Sequence, residues 1–203
     1  MVIDKYPLVL IDQNIQIIQQ TSVGTDNALA VSQGLSYISS QGHKNVGILL
    51  PTIDNSVLQE RCDAVFQYSA ITGFPLKQEL WLKDLGHSSE IVSEESIDRI
   101  ALHLTEHPEN TALFAFQYPL AVAADQAARR IGRTTGKDLS ILCFDSPLPL
   151  FGRPQFTHLH QDEAAIGEKA VELLLELISH PVQAPQNVKI PAKLVEGDSF
   201  FTL

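Results

Sequence analysis

A buried strand that ends in a carboxylate is the feature that most limits the possible folds of this chain. Residues 138–147 read Asp-Leu-Ser-Ile-Leu-Cys-Phe-Asp-Ser-Pro, and the run from Leu139 to Cys143 consists of apolar or small residues. Such a run predicts a strand buried on both faces, as in a parallel sheet covered by helices. Phe144 and Asp145 follow the run, and Pro147 ends the strand.

The end of this strand is a candidate ligand site. In open α/β sheets, ligands bind in the crevice outside the carboxyl ends of the strands. A carboxylate there can accept hydrogen bonds from hydroxyl groups, and an aromatic ring offers a flat apolar wall. Phe144 and Asp145 would therefore suit a small polyol or sugar. The alternative is that Asp145 only caps the next turn.

Strands and helices alternate along most of the chain. The predicted strands are 6–12, 21–24 (an edge strand), 46–50, 79–83 (a weak one), 111–116, 138–144, 157–160 and one or two within 188–195. The predicted helices are 25–41, 57–70, 88–106, 119–131 and 162–179. This alternation predicts an α/β fold with a parallel sheet flanked by helices.

Composition excludes several classes of protein. The 203 residues suffice for one sizeable core or two small subdomains, and no apolar run approaches the length of a membrane span. Fourteen basic and twenty-four acidic residues give a net charge of −10, so we expect no binding to nucleic acid by this polypeptide alone. Cys62 and Cys143 lie in apolar segments and indicate no disulfide framework. The first residues do not resemble a signal peptide, and we expect a cytoplasmic protein.

The sequence offers little support for catalysis. The stretch from Gly132 to Gly136 has too few glycines for a phosphate loop and follows a helix. His158 and His160 would share one face of a strand, a spacing that two metal ligands could use, but no third ligand is evident nearby. We therefore expect two ordinary surface or cleft histidines, no catalytic residue, no metal and no cofactor.

Polar residues at the predicted strand ends are more informative. Asp12, Gln117 and Asp145 each lie at or just past the end of a strand, where a cleft would form. Gln161 follows the strand 157–160 and can both donate and accept; the alternative is a solvated loop residue.

Arg61 lies early in the helix that follows Pro51, from where its side chain can point toward the same cleft. Its guanidinium offers several donors in a fixed fork, which match paired hydroxyls or a carboxylate. The alternative for Arg61 is a surface ion pair with a neighbouring acid: Glu60, Asp63 or Asp54.

Short segments in a fixed order carry a resemblance to a known family. They are residues 7–12 (Pro-Leu-Val-Leu-Ile-Asp), Gly42-His43 before Val46-Gly-Ile, Glu60-Arg61, 111–115 (Thr-Ala-Leu-Phe-Ala), 138–145, 156–161 (Phe-Thr-His-Leu-His-Gln), Ile166-Gly167, and Leu194-Val195 near Ser199. The chain resembles the effector-binding core of the lactose/galactose repressor (LacI/GalR) family, which shares the type I fold of periplasmic sugar-binding proteins.

The resemblance implies a small-molecule effector, usually a sugar or sugar phosphate, held between two α/β subdomains linked by three crossovers. Carried over to this chain, the ligand contacts would fall on Asp12, Arg61, Asp145 and Gln161, with Asn55 as a weaker candidate. Together with the residues chosen from the strand ends, the predicted ligand-binding set is Asp12, Asn55, Arg61, Gln117, Phe144, Asp145 and Gln161.

The chain departs from the family pattern in places. Gln117-Tyr118 replaces the usual Asn-Asp after the 111–115 strand, Cys143 replaces a glycine, and Gly197 replaces an arginine. The first change lies at the expected cleft and bears on which ligand fits.

The resemblance also predicts how the chain is divided. Residues 1–26 would be a remnant of the N-terminal subdomain, 27–161 the complete C-terminal effector-binding subdomain, 162–186 a helix returning to the N-terminal subdomain, and 187–203 the final strands. The DNA-binding module of the family and the first part of the N-terminal subdomain would then lie outside this chain. We expect this chain to contact operator DNA only through that module, and to bind sugar weakly or not at all.

The apolar stripe of the helix 162–179 predicts a homodimer, because one short strand covers too little of it. Two further functions stay open: a solute-binding protein of a sugar transporter and a small sugar-processing enzyme.

Overall fold

The structure, a computed structural model, describes residues 6–12, 20–53, 55–86, 92–180 and 184–203. The strands are β1 (Val9–Ile11), β2 (Thr21–Thr25), β3 (Val46–Leu49), β4 (Ala112–Ala115), β5 (Ser140–Phe144), β6 (Thr157–His160), β7 (Asn187–Ile190) and β8 (Lys193–Val195). The helices are α1 (Asn27–Ser40), α2 (Ser56–Thr72), α3 (Glu94–Glu106), α4 (Tyr118–Arg130) and α5 (Glu163–Ser179), with a short 3-10 helix at Gln78–Leu80.

The larger sheet has five strands in the order β3-β4-β5-β6-β8. The first four are parallel and β8 runs antiparallel to β6. Neighbouring residues of each strand face opposite layers, so Phe114 packs in the core under α1 and α2, while Leu113 packs in the core under α3 and α4. Both faces are thus buried, which confirms the predicted parallel sheet flanked by helices.

The smaller sheet has three parallel strands in the order β1-β2-β7. Helix α5 covers it through Ile166, Ala170 and Leu173, which pack with Val23. The prediction of an edge strand at 21–24 is wrong, because β2 is central and all five of its residues are buried. Its neighbour β7 comes from the far end of the sequence, and a local pattern cannot reveal such a pairing.

Two other predicted elements differ from the structure. No strand forms at 79–83, where a weak one was predicted: its first two residues belong to the 3-10 helix, and only Leu82 forms a bridge, to Leu49 of β3. The helix predicted from residue 88 begins at Glu94, because the hydroxyl of Ser93 accepts a hydrogen bond from the amide of Ser96 and caps the helix there. Residues 88–91 and most of the loop predicted at 13–20 lie outside the described residues.

The chain passes three times between the two sheets: from β2 into α1, from β6 into α5, and from β7 to β8. The carboxyl ends of β1 and β2 therefore come close to those of β5 and β6. None of the helices in the described part of the chain is long and apolar enough to cross a membrane.

Candidate functional site

A cleft of about 410 Å³ opens at the carboxyl ends of β4, β5 and β6 and is bordered by the end of β1. All seven residues of the predicted ligand-binding set line it: Asp12, Asn55, Arg61, Gln117, Phe144, Asp145 and Gln161. Segments that are far apart in sequence are thus brought together at one edge of the fold. That they bind a ligand stays a prediction.

Asp145 and Gln161 are joined by two hydrogen bonds. The backbone amide of Gln161 donates to Asp145 Oδ1 over 3.1 Å, and Gln161 Nε2 donates to Asp145 Oδ2 over 2.6 Å. Asp145 has a φ of 54°, a left-handed conformation that aspartate tolerates better than most residues. The carboxylate does more than cap a turn, since it ties the end of β5 to the end of β6 and retains further lone pairs for a ligand.

Arg61 lies at the centre of the cleft. Its side chain donates from Nε to Asn27 Oδ1 over 2.9 Å and from one terminal nitrogen to the carbonyl of Phe116 over 2.8 Å; the other terminal nitrogen donates to Gln161 Oε1 over 3.1 Å. Arg61 is only 5% exposed, so a surface ion pair does not describe it. Two of its five N–H groups remain for a ligand.

Burial determines the electrostatics of Arg61. Removal from water lowers the pKa of the guanidinium to about 10, and the nearby carboxylates of Asp145, Asp12 and Glu60 counteract part of that effect. Arg61 therefore stays protonated at neutral pH. It brings a positive charge to a cleft that two carboxylates also border.

Phe144 has a different role from the apolar wall that we predicted. Its ring is 1% exposed, and the guanidinium carbon of Arg61 lies 3.4 Å from the ring centroid. The ring supports Arg61 through a cation–π contact and offers almost no surface of its own. Tyr118, Val57 and Pro119 contribute the more accessible apolar lining.

Asp12 repeats the geometry of Asp145 on the smaller sheet. It has a φ of 50°, and its Oδ1 accepts a hydrogen bond from the amide of Thr25 over 3.1 Å. A Cβ at Gly24 would lie 2.7 Å from Asp12 Oδ1, so this approach requires a glycine. The hydroxyl of Thr25 also donates to Gln161 Oε1 over 2.7 Å, which joins the ends of the two sheets.

Asn55 and Gln117 lie directly before α2 and α4, and the first turns of both helices border the cleft. Asn55 Oδ1 accepts from the amide of Leu58 over 3.0 Å and caps α2. Gln117 occupies the corresponding position before α4, but its side chain does not cap that helix. The two candidates therefore differ, because part of the hydrogen-bonding capacity of Asn55 is committed to its own helix.

Sequence reasoning missed Thr25 and Asn27 as residues of the site. Both are nearly inaccessible, at 1% and 2% exposure, and both bond to predicted site residues. Their place at or just past the end of β2 was the available signal, because the same rule selects Asp12 and Asp145.

The two histidines at the end of β6 are not arranged as a metal site. His158 is fully buried, its Nδ1 lies 2.9 Å from the carbonyl of Phe156, and burial lowers its pKa. Across the described ranges, no three His, Cys, Asp or Glu residues are grouped so that they could hold a metal ion.

Comparison with known proteins identifies the relatives of this chain. Residues 35–200 match the family described as the periplasmic binding protein-like domain. The HTH-type transcriptional regulator MalR of Streptomyces coelicolor is 28% identical over 205 aligned residues, which cover 95% of this chain and 56% of that protein. The HTH-type transcriptional repressor PurR of Actinobacillus pleuropneumoniae is 25% identical over 162 residues, which cover 78% of this chain and 47% of the repressor. The chain thus spans about half the length of the curated relatives it matches.

A solved structure shares the fold. The LacI family transcriptional regulator from Enterococcus faecium, crystallised with bound ribose, superposes with a TM-score of 0.76 at 20% identity. The match covers 97% of this chain and 72% of that one. The family match and these relatives confirm the resemblance predicted from the sequence: the chain belongs to the periplasmic binding protein-like domain family, among relatives that are LacI-type transcriptional regulators.

Proposed function

We propose that this chain is the effector-binding core of a LacI-type transcriptional regulator and that its cleft binds a small polyhydroxylated molecule. One observation carries the proposal: Asp145, Gln161 and Arg61 form a continuous hydrogen-bonded group along a single cleft of about 410 Å³. Such a group can offer both donors and acceptors to neighbouring hydroxyls.

The chemistry of the group fits a sugar. The Asp145 carboxylate can accept from hydroxyl groups, and the free N–H groups of Arg61 can donate to hydroxyl oxygens. Tyr118 and Val57 can contact the apolar face of a ring. Ribose in the Enterococcus faecium regulator supports this ligand class. A transporter solute-binding protein is the second candidate, and the regulators among the relatives favour the first.

Effector binding would act by changing how the two sheets are oriented. The cleft lies where the chain crosses between them, and the hydroxyl of Thr25 already bonds to Gln161 across that junction. A ligand that contacts Asp12 on one side and Asp145 on the other would favour a closed arrangement. In a complete regulator, closure would reposition the DNA-binding modules.

We assign DNA binding to a module other than these 203 residues. The net charge of −10 opposes contact with phosphate backbones. The relatives named as HTH-type regulators extend well beyond the part matched by this chain.

The test is a titration of the ¹⁵N-labelled protein with ribose and other neutral sugars. The titration is monitored by NMR, which detects the weak binding that we expect. Asp145→Ala should weaken a bound sugar by at least about tenfold, since losing a charged partner of a buried hydrogen bond typically costs about 2–5 kcal/mol. Asp98→Ala is the matched control, because Asp98 pairs with Arg130 on the surface. Unchanged affinity in both Asp145→Ala and Arg61→Ala would refute the site.

We further propose that the chain forms a homodimer through α5. Val171, Leu175 and Ile178 lie on the outer side of this helix with exposures of 58%, 58% and 56%. Leu175→Glu should shift the protein toward monomer in sedimentation experiments. Leu102→Glu, a similarly exposed position on α3, is the control and should not. A wild-type protein that stays monomeric at tens of micromolar would contradict the dimer.

A further inference from the structure

Asn27, the first residue of α1, lies between Arg61 and Glu60 and bonds to both. Arg61 Nε donates to Asn27 Oδ1 over 2.9 Å, and Asn27 Nδ2 donates to Glu60 Oε2 over 3.2 Å. Asn27 is 2% exposed and does not line the cleft of about 410 Å³. We infer that Asn27 is a positioning residue, which holds the guanidinium of Arg61 in the orientation that a ligand meets; this inference rests on the proposed function.

Arg61 needs such a partner because its side chain is long and rotatable. Three contacts fix its plane from different directions: the carbonyl of Phe116, the amide oxygen of Gln161 and the amide oxygen of Asn27. The ring of Phe144 packs against the guanidinium of Arg61. Of the two side-chain partners, Gln161 lines the cleft, where a ligand can compete for it. Asn27 is buried and does not line the cleft, so its bond can persist when a ligand is bound.

The amide of Asn27 has only one orientation that satisfies both neighbours. Arg61 Nε can only donate, so the oxygen of the amide must face it. The nitrogen then faces Glu60, whose carboxylate can only accept. Aspartate at position 27 would keep the acceptor for Arg61 but place a second carboxylate against Glu60 Oε2, so it is combined with Glu60→Gln, whose amide can donate to it.

Glu60 continues the connection to the smaller sheet. Its Oε2 also accepts a hydrogen bond from Lys189 Nζ over 2.9 Å, and Lys189 lies on β7. This pair is about one-third exposed at both ends, so it is a weak contact. The strong element of the group is therefore the buried bond between Asn27 and Arg61.

Exchange of the Arg61 Nε proton with solvent tests the inference without a ligand. The chain has six arginines, and the Arg61 signal in an NMR spectrum is assigned by its loss in Arg61→Lys. Asn27→Ala should speed exchange of that proton by at least about tenfold, which corresponds to about 1.4 kcal/mol. The double variant Asn27→Asp/Glu60→Gln should restore slow exchange, because it keeps the acceptor for Arg61 without a second buried negative charge.

The control is Asn110→Ala. Asn110 is also fully buried, and its Oδ1 accepts from the amide of Gly47 over 3.1 Å, at the opposite end of the sheet from the cleft. This variant should lower stability and leave Arg61 exchange unchanged. Equal exchange in wild type and Asn27→Ala would overturn the inference, as would equal acceleration by Asn110→Ala. If Asn27→Ala does not fold, Asn27→Ser carries the same test, since its shorter side chain cannot reach both partners.

Ribose titration separates this inference from the proposed function. If ribose binds the wild type, Asn27→Ala should weaken its binding by about tenfold, and the double variant Asn27→Asp/Glu60→Gln should recover most of the loss. Faster exchange with unchanged ribose affinity would overturn the positioning role. Failure of every neutral sugar to bind the wild type would count against the proposed function, while the exchange result would still decide whether Asn27 fixes Arg61.

Discussion

Replacing Asp145 by glycine and by alanine separates two reasons why aspartate occupies this position. The residue accepts two hydrogen bonds from Gln161 and adopts a φ of 54°. A hydrogen bond to a charged group typically contributes about 1.5–3 kcal/mol, and the lower value applies here because Asp145 is partly exposed. Losing both bonds should lower the free energy of unfolding by about 3 kcal/mol in either variant.

The backbone conformation adds a difference between the two variants. Alanine at positive φ should be less stable than glycine by about 1 kcal/mol, the reverse of the usual order in helices and strands. We therefore expect losses of about 3 kcal/mol for Asp145→Gly and about 4 kcal/mol for Asp145→Ala. With a slope near 2 kcal/mol per molar urea, the midpoints of the two variants should differ by about 0.5 M.

Asp84 provides the matched control for urea unfolding. It also has a positive φ, 58°, but it is exposed, and its carboxylate accepts no hydrogen bond from the residues that the structure describes. Asp84→Gly should stay close to wild type, and Asp84→Ala should again be about 1 kcal/mol less stable than the glycine variant. The reasoning is refuted if Asp145→Gly is as stable as wild type, or if alanine equals glycine at both positions.

Three further outcomes are expected. Burial lowers the pKa of His43, His103 and His158, so the unfolded state binds more protons, and the free energy of unfolding should fall as the pH drops below about 6.5. Urea unfolding at several pH values measures this dependence, and His43→Gln should make the free energy of unfolding less dependent on pH. A free energy that does not change with pH in this range would contradict the prediction. The cleft has two carboxylates and one guanidinium, and because its net negative charge repels a phosphate, a sugar phosphate should bind at least about tenfold more weakly than the corresponding neutral sugar in parallel titrations. Tighter binding of the sugar phosphate would contradict this reasoning. The chain should not shift duplex DNA at physiological salt, and a dissociation constant below about 1 μM would show otherwise.

The parts of the fold that the sequence predicted are those with strong local signals. The strand ending at Asp145 and the apolar helices needed only neighbouring residues to be recognised. The central position of β2 depends on β7, whose residues pair with it from 165 positions away in the chain. The 3-10 helix at Gln78–Leu80 is short and carries no periodic pattern.

The candidate site was predicted unevenly for a related reason. A position after a buried strand is visible in the sequence, and it selected Asp12, Asp145 and Gln161. The bond between Asn27 and Arg61 depends on how α1 packs beside α2, which no local pattern specifies. The inaccessibility of Phe144 likewise follows from the guanidinium that covers it.

The two aspartates show how one local device can build both sides of a cleft. Each aspartate directly follows the last paired residue of its strand, and its backbone amide donates to a carbonyl of the neighbouring strand, Val23 for Asp12 and Leu159 for Asp145. Each carboxylate then accepts from the backbone amide two residues after that carbonyl, which belongs to Thr25 or Gln161. The next residue then caps the crossover helix, as Asp26 does for α1 and Asp162 for α5. Because the left-handed turn fixes each carboxylate at its sheet edge, little rotamer freedom remains to be lost on binding. A ligand that bridges the two would convert its binding energy into a preferred orientation of the sheets.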